Sequence, residues 1–496
     1  MTRHLLAIDQ GTTGTTVLVM DVEGRTLGRA TREFTQHFPE PGQVEHEPDE
    51  IWQSVLDALA GAFSAAGVGW ESIAAIGITN QRETTVIWDR ASGKPIHRAI
   101  VWQDRRTASR CAELDRDGHG AKVRETTGLV LDPYFSGTKI GWLLDRVPGA
   151  RARARRGELA FGTIDSYLVG RLTGGAVHAT DVTNASRTLL MNLRTLAWDD
   201  DMLRLFDVPR AILPDIVPSA GVVARTRASG GIAADVPIAG IAGDQQAALF
   251  GQACFAPGDV KCTYGTGAFV LIHTGNRPLA SRFGLLTTVG WKIGDEVAYA
   301  LEGSSFIAGA AVQWLRDGLG IIGSAAEIEG LARQVPSSEG LKFVPALSGL
   351  GAPYWDAGAR GLITGITRGT RAAHLARATL EAIALQVDDL VRAMADDLGS
   401  PVHRMRVDGG AAANDLLMQL QADLSSLSVE RPAELESTAR GAAMLAGLGV
   451  GLFKTKDESS KMSKATGVFR PALEAEARET LRREWAEAVR RARSSA

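Results

Sequence analysis

Apolar runs separated by Gly/Thr-rich turns are the first pattern along the chain, and they predict short buried strands. Residues 4–8 and 17–20 are apolar and flank the polar segment DQGTTGTT at 9–16, which predicts a β-hairpin. Residues 258–273, GDVKCTYGTGAFVLIH, repeat this order of strand, Gly/Thr turn and strand. A second hairpin of this kind half a chain length after the first indicates an internal duplication.

Helical periodicity is clearest at residues 51–66 and 377–398, where apolar side chains recur every three or four positions. The second of these segments predicts a long helix facing the core. Residues 472–492 are charged apart from the stripe of Leu481, Trp485 and Val489, which predicts a C-terminal helix that docks through this stripe.

Two polar segments show no apolar periodicity that would assign them to a strand or a core-facing helix. We interpret the Arg-rich run at 149–157 as a solvated, partly helical face, because it is one short run in a chain of balanced charge. The segment at 181–190, DVTNASRTLL, predicts a polar loop that enters a strand.

The segment GIAGDQQAALFGQ at 240–252 carries the candidate catalytic group. An apolar run at 236–242 predicts a strand, and a helix is expected to follow. Strand, glycine, aspartate and helix is the order in which α/β proteins place a carboxylate at the mouth of a crevice. Asp244 is therefore the candidate proton acceptor if the protein phosphorylates a hydroxyl. The alternative is that Asp244 only caps the helix that begins near Gln245.

Charged and aromatic residues near other strands offer a second group of candidates. Residues 73–78 predict a buried strand, and Arg82 and Glu83 follow its end. They form either an ordinary surface pair or a polar clamp on a small hydrophilic substrate. Trp102 and Tyr134 are either core aromatics or the walls of a small pocket.

Composition excludes several classes of function. A chain of 496 residues with 45% hydrophobic residues predicts a globular protein of two or more domains. The formal net charge of −3 offers no basic surface for nucleic acid and no polybasic membrane patch. Asp9 comes before any apolar run of signal-peptide length, and no apolar run is long enough to span a bilayer, so we expect neither a signal peptide nor membrane insertion. Three scattered cysteines disfavour a disulfide framework and favour a soluble, cytoplasmic protein.

The remaining motifs point to phosphoryl transfer. No Cys or His pairs have metal-ligand spacing, and the absence of GxSxG disfavours a serine hydrolase. Two glycines in DGGAAAN at 408–414 open a helix, where a nucleotide could approach the backbone. Phosphoryl transfer needs phosphates held in place, charge neutralised by Mg²⁺ and a hydroxyl proton accepted. The two hairpins would hold the β- and γ-phosphates, and Asp9 is the candidate Mg²⁺ ligand, acting through water.

Taken in order, several motifs resemble those of the glycerol kinases, a group of the FGGY carbohydrate kinases in the actin/hexokinase-like superfamily: DQGTT, GITNQRET, VWQDRR, PYFSGTK, FGTIDSYL, TDVTNASRT, GIAGDQQAALFGQ, YGTG, GLGAPYWD, ARG and RVDGGAAAN. The resemblance implies an α/β fold of two actin/hexokinase-like (ribonuclease H-like) domains with a cleft between them. Residues 1–251 would carry the glycerol site and the first phosphate hairpin. Residues 252–496 would carry the second hairpin and the nucleotide site.

The resemblance also implies an activity, the ATP- and Mg²⁺-dependent phosphorylation of glycerol to sn-glycerol 3-phosphate, with Asp244 as general base. Hydrogen bonds to the triol would come from Arg82, Glu83, Tyr134, Asp244 and Gln245. Its carbon side would be lined by Trp102 and Phe269. The phosphates would contact Thr12, Thr13, Gly14 and Thr266. The rest of the nucleotide would contact Gly309, Gln313, Gly410 and Asn414. We also expect a homo-oligomer, a dimer or a tetramer.

The chain departs from its relatives at regulatory and nucleotide positions. Thr16 stands where many relatives carry an arginine close to the phosphates, a change that bears on nucleotide affinity and rate rather than reaction type. Asp235 stands where some bacterial relatives carry an arginine that binds fructose 1,6-bisphosphate, and its charge would repel that sugar. No histidine lies between His178 and His273, so activation by histidine phosphorylation is expected to be absent.

Two other functions stay open at this point. An FGGY kinase for another small polyol or ketose would use the same machinery, although Arg82–Glu83 with Trp102 argues against it. An actin-like or chaperone-like ATPase would use the same fold as a nucleotide switch or filament, but it would have no use for the pair Asp244–Gln245.

Overall fold

The structure, a computed structural model, describes residues 3–356 and 358–494. The strands are β1 (His4–Gln10), β2 (Gly14–Met20), β3 (Thr26–Glu33), β4 (Gln36–His37), β5 (Glu45–His46), β6 (Ile73–Asn80), β7 (Val86–Asp89), β8 (Ala99–Ile100), β9 (Leu159–Gly162), β10 (Ala179–Asp181), β11 (Met191–Asn192), β12 (Ala197–Trp198), β13 (Asp215–Val217), β14 (Ala220–Arg225), β15 (Pro237–Gly243), β16 (Asp259–Tyr264), β17 (Ala268–Gly275), β18 (Leu286–Ile293), β19 (Glu296–Ser305), β20 (Lys342–Val344), β21 (Leu362–Thr364), β22 (Arg404–Asp408), β23 (Val429–Pro432) and β24 (Ala465–Phe469).

The helices are α1 (Pro48–Ala66), α2 (Ala108–Arg116), α3 (Gly120–Thr127), α4 (Ser136–Arg146), α5 (Ala150–Arg155), α6 (Ile164–Leu172), α7 (Val182–Ala185), α8 (Asp200–Leu205), α9 (Asp244–Gly251), α10 (Gly309–Asp317), α11 (Glu327–Ala332), α12 (Ala372–Leu398), α13 (Asp415–Ser425), α14 (Ser437–Gly449), α15 (Lys456–Ser459) and α16 (Ala475–Ala492). Short 3₁₀ helices lie at Trp70–Ser72, Arg210–Ile212, Gly410–Ala413 and Ser460–Met462. Below, the first half runs from β1 to α9 and the second half from β16 to α16.

The main sheet joins thirteen strands within the described residues, in the order β24-β23-β22-β16-β17-β19-β18-β14-β15-β6-β1-β2-β3. In the first half β3, β2 and β1 are antiparallel neighbours, and β6 and β15 continue the sheet parallel to β1. In the second half β19, β17 and β16 are antiparallel neighbours, and β22 and β23 continue parallel to β16. The two halves therefore repeat one strand order, as the two predicted hairpins indicated.

Helices α9 and α14 bring the two halves together. Each follows the last parallel strand of its half. A Cβ atom at Gly441 would collide with the carbonyl oxygen of Ala247, and one at Gly251 would collide with that of Ser437. Because these glycines have no side chains, the two helix backbones approach closely. This contact joins the halves beside the crevice that holds the candidate site.

The predicted long helices are confirmed. Helix α12 runs from Ala372 to Leu398 and buries an apolar face in the core of the second half. Helix α16 docks through Trp485 and Val489, which are 1% and 2% exposed. The Arg-rich run forms the short helix α5, as expected for a partly helical face. No helix among the described residues combines the length and the hydropathy that a membrane crossing requires.

The prediction of a polar loop at 181–190 that enters a strand holds only for residues 186–190, a turn that leads to β11. Residues 181–185 end β10 and form α7, and the whole segment is buried. Asp181 accepts hydrogen bonds from the backbone and hydroxyl of Thr183, from Asn184 and from the hydroxyl of Ser219. Because these polar groups satisfy one another, the segment can be polar and still lie in the interior.

Candidate active site

The parallel strands of the first half end at one edge of the sheet. Asp9 on β1 lies beside Thr79 on β6, which in turn lies beside Ala242 on β15. Residues that follow these strands therefore gather at the same edge, which is where open α/β sheets bind ligands. Arg82 and Glu83 follow β6 at this edge, and Asp244 follows β15.

Asp244 is the first residue of α9, and Gly243 precedes the helix in extended conformation. Its Oδ1 accepts a hydrogen bond from the backbone N–H of Gln245 at 2.7 Å and lies 3.1 Å from Nε of Arg82. The side chain is 32% exposed. The N-cap of α9 is Gly243 and no side chain caps this helix, so the capping alternative is wrong. The Asp244 carboxylate bonds only the next N–H and still reaches the crevice.

Burial and charge shift the acidity of Asp244 in opposite directions. Loss of hydration raises its pKa, whereas the Arg82 guanidinium and the Gln245 N–H lower it, and the balance leaves the pKa above the ordinary aspartate value. The strand before it is held by a hydrogen bond of 2.8 Å from the Gly243 N–H to the hydroxyl of Thr183. The buried segment that sequence reasoning assigned to a loop therefore supports the candidate base.

Arg82 and Glu83 are 2% and 1% exposed, which excludes the ordinary surface pair. Arg82 donates to both oxygens of Glu302, at 2.5 and 3.0 Å, and to the hydroxyl of Tyr134 at 3.2 Å. Glu83 accepts a hydrogen bond of 2.6 Å from Nε of Arg187, whereas its contact with Arg82 is longer, at 3.8 Å. The clamp is therefore a buried network rather than a pair of neighbours.

Sequence reasoning missed Glu302, Arg187 and Lys261. Lys261 on β16 donates to the side-chain oxygen of Gln245, which leaves the amide N–H groups of Gln245 for other partners. Burial would raise the pKa of Glu302, but the guanidiniums of Arg187 and Arg82 outweigh it and lower that pKa to about 2. The signal that could have found Lys261 and Glu302 is a charged residue inside an apolar strand.

Aromatic rings face one another across the crevice. The Trp102 ring lies 5.5 Å from Tyr134 and 6.4 Å from Phe269, centroid to centroid, and both contacts are edge-to-face. All three side chains are half-buried, so they wall a space rather than fill a core. Phe269 comes from the second half, and the Trp102 indole N–H donates to the hydroxyl of Thr12 at 2.9 Å. The aromatic wall thus touches the first turn.

The first turn is closed by a hydrogen bond of 2.9 Å from the Gly11 N–H to the carbonyl of Gly14. Thr12 is partly buried, and Thr13 at its tip is exposed. A Cβ atom at Gly14 would lie 2.8 Å from the carbonyl oxygen of Arg32, so this position requires glycine. The turn therefore presents threonine hydroxyls and backbone N–H groups in the way that phosphate sites require.

The second turn, residues 265–267, rests on the start of α10. The carbonyl of Thr266 accepts hydrogen bonds from the N–H groups of Ala308 and Ala310, at 2.8 and 3.0 Å. Gly309 donates to the carbonyl of Gly265 at 2.9 Å, and a Cβ atom there would lie 2.6 Å from that oxygen. Gly309 and the exposed Thr266 are thus neighbours, and Gln313 follows on the exposed side of α10.

The segment after β22 lies beside the second turn. Asp408 pairs in register with Thr263 on β16, and both of its carboxylate oxygens are buried without a hydrogen-bond partner. Gly410 is exposed and has open space around its Cα, whereas the side-chain oxygen of Asn414 caps α13 by accepting from the Leu417 N–H at 2.8 Å. A nucleotide could reach Gly410 and the free amide N–H groups of Asn414.

Asp9 and Asp408 offer hard oxygen ligands. Burial raises the pKa of Asp9 strongly, and the negative charges of Glu436, Asp244 and Asp408 raise it further. Within the described part of the chain, no cluster of three or more His, Cys, Asp or Glu side chains is arranged to hold a metal. Two carboxylates near phosphate turns nevertheless fit Mg²⁺, which keeps its waters and takes ligands from substrate phosphates. The unpartnered oxygens of Asp408 fit this arrangement.

Comparison with known proteins identifies the family of this chain. The family model described as the FGGY family of carbohydrate kinases, N-terminal domain, matches residues 4–251, and the C-terminal domain of the same family matches residues 260–450. A glycerol kinase of Alkalilimnicola ehrlichii is 57% identical over 98% of this chain and 98% of its own. Glycerol kinase 2 of Thermotoga maritima is 54% identical, with coverage of 99% and 98%.

Solved structures of related kinases share the fold of this chain. The glycerol kinase of Plasmodium falciparum with ADP aligns with a TM-score of 0.94 and 36% identity, covering 99% of this chain and 98% of its own. A gluconate kinase of Lactobacillus acidophilus aligns with a TM-score of 0.87 over 99% and 97% of the two chains. Because the two sequences are only 23% identical, this match shows a shared fold and nothing about function.

Proposed function

This chain belongs to the FGGY family of carbohydrate kinases, and we propose that it transfers the γ-phosphoryl group of ATP to a terminal hydroxyl of glycerol. The products are sn-glycerol 3-phosphate and ADP, and the physiological setting is glycerol catabolism. The observation that carries the proposal is the Asp244 carboxylate, 3.1 Å from Arg82, in a crevice walled by Trp102 and Phe269. Two phosphate-type turns, one from each half, accompany it.

Hydrogen bonds account for the choice of substrate. A three-carbon triol has little apolar area, so the groups that select it must be polar. Arg82, Glu83 and the Tyr134 hydroxyl supply donors and acceptors, and the Gln245 amide supplies N–H groups. The rings of Trp102 and Phe269 cover the carbon side. A buried polar site of this kind rejects an analogue that lacks a hydroxyl, because its own groups would stay unpaired.

Asp244 acts as general base in this proposal. The substrate oxygen forms a bond to the γ-phosphorus while the bond from that phosphorus to the β,γ-bridging oxygen breaks. The electron pair leaves on ADP, and the hydroxyl proton passes to Asp244. The transition state is loose, so positioning matters more than covalent participation. Arg82 orients the carboxylate, and closure of the crevice excludes water that would compete as acceptor.

The turns hold the nucleotide. Thr12, Thr13 and Gly14 of the first turn and Thr266 of the second contact the phosphates. Gly309, Gln313, Gly410 and Asn414 contact the remainder of the nucleotide. Asp9 and Asp408 would hold Mg²⁺ through water, and the bound ion would neutralise the β- and γ-phosphate charge.

The cell compartment and the assembly state belong to the same proposal. Cys111, Cys254 and Cys262 are buried free thiols, which suits the reducing cytoplasm where ATP is available. We propose a homo-oligomer, a dimer or a tetramer, and a division of the chain into domains at 1–251 and 252–496. Sedimentation of the purified protein with and without ATP would give the assembly state.

The direct test is an ATP/glycerol assay in which ADP is followed by coupled detection and the product is identified by mass. We expect glycerol to give a product heavier by one phosphoryl group and to be preferred over dihydroxyacetone and erythritol in parallel reactions. Preference for another polyol or a ketose would favour the alternative FGGY kinase. Glycerol-independent ATP turnover with sedimenting polymer would favour a filament-forming ATPase.

A further inference from the structure

Four charged side chains are buried together between the two halves. Arg82, Glu83 and Arg187 come from the first half, Glu302 comes from β19 of the second, and none is more than 2% exposed. Glu302 accepts from both terminal nitrogens of Arg82 and from Nη2 of Arg187 at 2.8 Å. Two cations and two carboxylates balance the charge. A buried ion network is tolerated when its charges are paired and hydrogen-bonded, and among the described atoms of these four side chains only Nη1 of Arg187 is buried without a partner.

The ion pairs of Arg82 divide mainly between two carboxylates. Nη1 and Nη2 go to Glu302, and Nε lies 3.1 Å from Oδ1 of Asp244. Arginine and a carboxylate otherwise favour a paired arrangement in which two parallel N–H groups meet both oxygens. Glu302 takes the shortest bonds of the terminal nitrogens, which also donate to Gln246 and the Tyr134 hydroxyl, so Arg82 reaches only one oxygen of Asp244.

The remaining oxygen of Asp244 is therefore available. The hydrogen bond from the Gln245 N–H also goes to Oδ1, and no described residue hydrogen-bonds to Oδ2. A general base needs an oxygen that can accept a hydrogen bond from the substrate hydroxyl. The division of the Arg82 ion pairs leaves Asp244 with such an oxygen.

We propose that Glu302 is a positioning residue for phosphoryl transfer, which holds the terminal nitrogens of Arg82 away from Asp244 and ties the substrate clamp to the second half. This role rests on the proposed glycerol kinase function. Without the Glu302 charge, Arg82 turns toward the Asp244 carboxylate, which is the nearest partially exposed carboxylate it already contacts. The substrate hydroxyl then competes with a guanidinium for both oxygens of the base.

Glu302→Gln tests this role, because glutamine has the same shape but carries no charge. We expect the KM for glycerol to rise about tenfold and kcat to fall about tenfold, since both binding and orientation depend on the freed oxygen. The KM for ATP should stay within about twofold, because the phosphate turns do not contact Glu302. Steady-state kinetics with each substrate varied in turn gives all three values.

Glu296→Gln is the matched control, because Glu296 begins the same strand but pairs with Lys456 at the surface, where its side chain is 49% exposed. The control should keep all three constants. A thermal melt and an ADP titration measure the folded, nucleotide-competent fraction of each variant. Wild-type glycerol constants in Glu302→Gln would overturn the proposal. It would also fail if kcat fell only in proportion to the competent fraction while KM stayed unchanged.

Glu302→Asp tests the same positioning role if the Glu302→Gln variant does not fold. Aspartate retains the charge but is one methylene shorter, so it reaches Arg82 less well. We expect a loss of kcat/KM for glycerol of about three- to tenfold with the KM for ATP preserved. Wild-type constants in this variant would count against the proposal. If wild-type protein itself does not phosphorylate glycerol, the proposed function fails instead.

Discussion

The first half of the molecule places charged side chains where the second half, on the same strand order, places bare backbone. Arg82 and Glu83 follow the parallel strand β6, whereas Gly409 and Gly410 follow the corresponding strand β22. A neutral polyol is recognised by side-chain donors and acceptors, and phosphates are recognised by N–H groups that glycine leaves accessible. A duplicated scaffold can thus divide a two-substrate reaction between its copies.

The two turns differ in how they are supported. The first turn is linked through Thr12 to Trp102 in the substrate wall, and the second rests on the N-terminus of α10 through Thr266 and Gly309. The first turn therefore contacts a wall of the proposed polyol site, while the second turn lies in the proposed nucleotide site. If this division is correct, variants in the segment after β6 and in the segment after β22 should affect different kinetic constants.

Asp244→Asn should have the largest effect. The amide keeps the size of the side chain but cannot accept the proton, so we expect kcat to fall by about 10²–10⁴ while the KM for glycerol changes much less. Asp235→Asn, which changes an aspartate whose side chain is 79% exposed, is the control and should behave as wild type. Normal turnover in Asp244→Asn would remove Asp244 from the role of base.

Gly409→Ala should act on the second half. Gly409 has φ of 84°, and an added Cβ would lie 2.5 Å from the Tyr264 carbonyl oxygen, so we expect the KM for ATP to rise and the free energy of unfolding to fall by about 1–3 kcal/mol. In Gly410→Ala the added Cβ meets no protein atom, so stability should hold and any change should appear in the KM for ATP. Denaturant unfolding and kinetics together separate the two. A rise in the KM for glycerol alone would contradict the division.

Lowering the pH should distinguish Asp244 from Glu302, two of the carboxylates that Arg82 contacts, because their pKa values are shifted in opposite directions. The raised pKa of Asp244 means that kcat/KM for glycerol should fall, by about tenfold per pH unit, at a higher pH than an ordinary aspartate would dictate. The lowered pKa of Glu302, about 2, stabilises the fold fully above its unfolded value of about 4.5, and this contribution is lost as pH falls toward 2. A pH–rate profile and acid unfolding should therefore show activity lost before the Glu302 contribution. Coincident transitions would contradict this order.

Fructose 1,6-bisphosphate should have the smallest effect, namely none or weak inhibition. Asp235 is exposed, carries a negative charge and pairs with Arg225 at 3.2 Å, so it offers this sugar repulsion rather than a binding partner. Initial rates at low millimolar concentrations of the sugar, with inorganic phosphate as control, check this. Inhibition by the sugar but not by phosphate would show that a different group binds it.

Local patterns predicted much of the fold and the main chemical groups. The two hairpins, α12 and the docking stripe of α16 follow from spacing alone, because periodicity reports which face of an element is buried. The two-domain α/β fold that the motifs implied is confirmed by the family and structural matches. The individual roles of Asp244, Arg82 and the turn residues stay predictions, although the structure brings Asp244, Arg82 and Tyr134 together.

By itself, the sequence determined the order of elements, the duplication and the motifs that identify the family. Only the tertiary structure decided that Arg82 and Glu83 are buried, that residues 181–190 lie in the interior, and that Glu302 reaches the substrate clamp. The physical reason is distance along the chain. Periodicity reflects neighbours within a few residues, whereas the stability of a buried charge depends on partners that the fold brings from the other half.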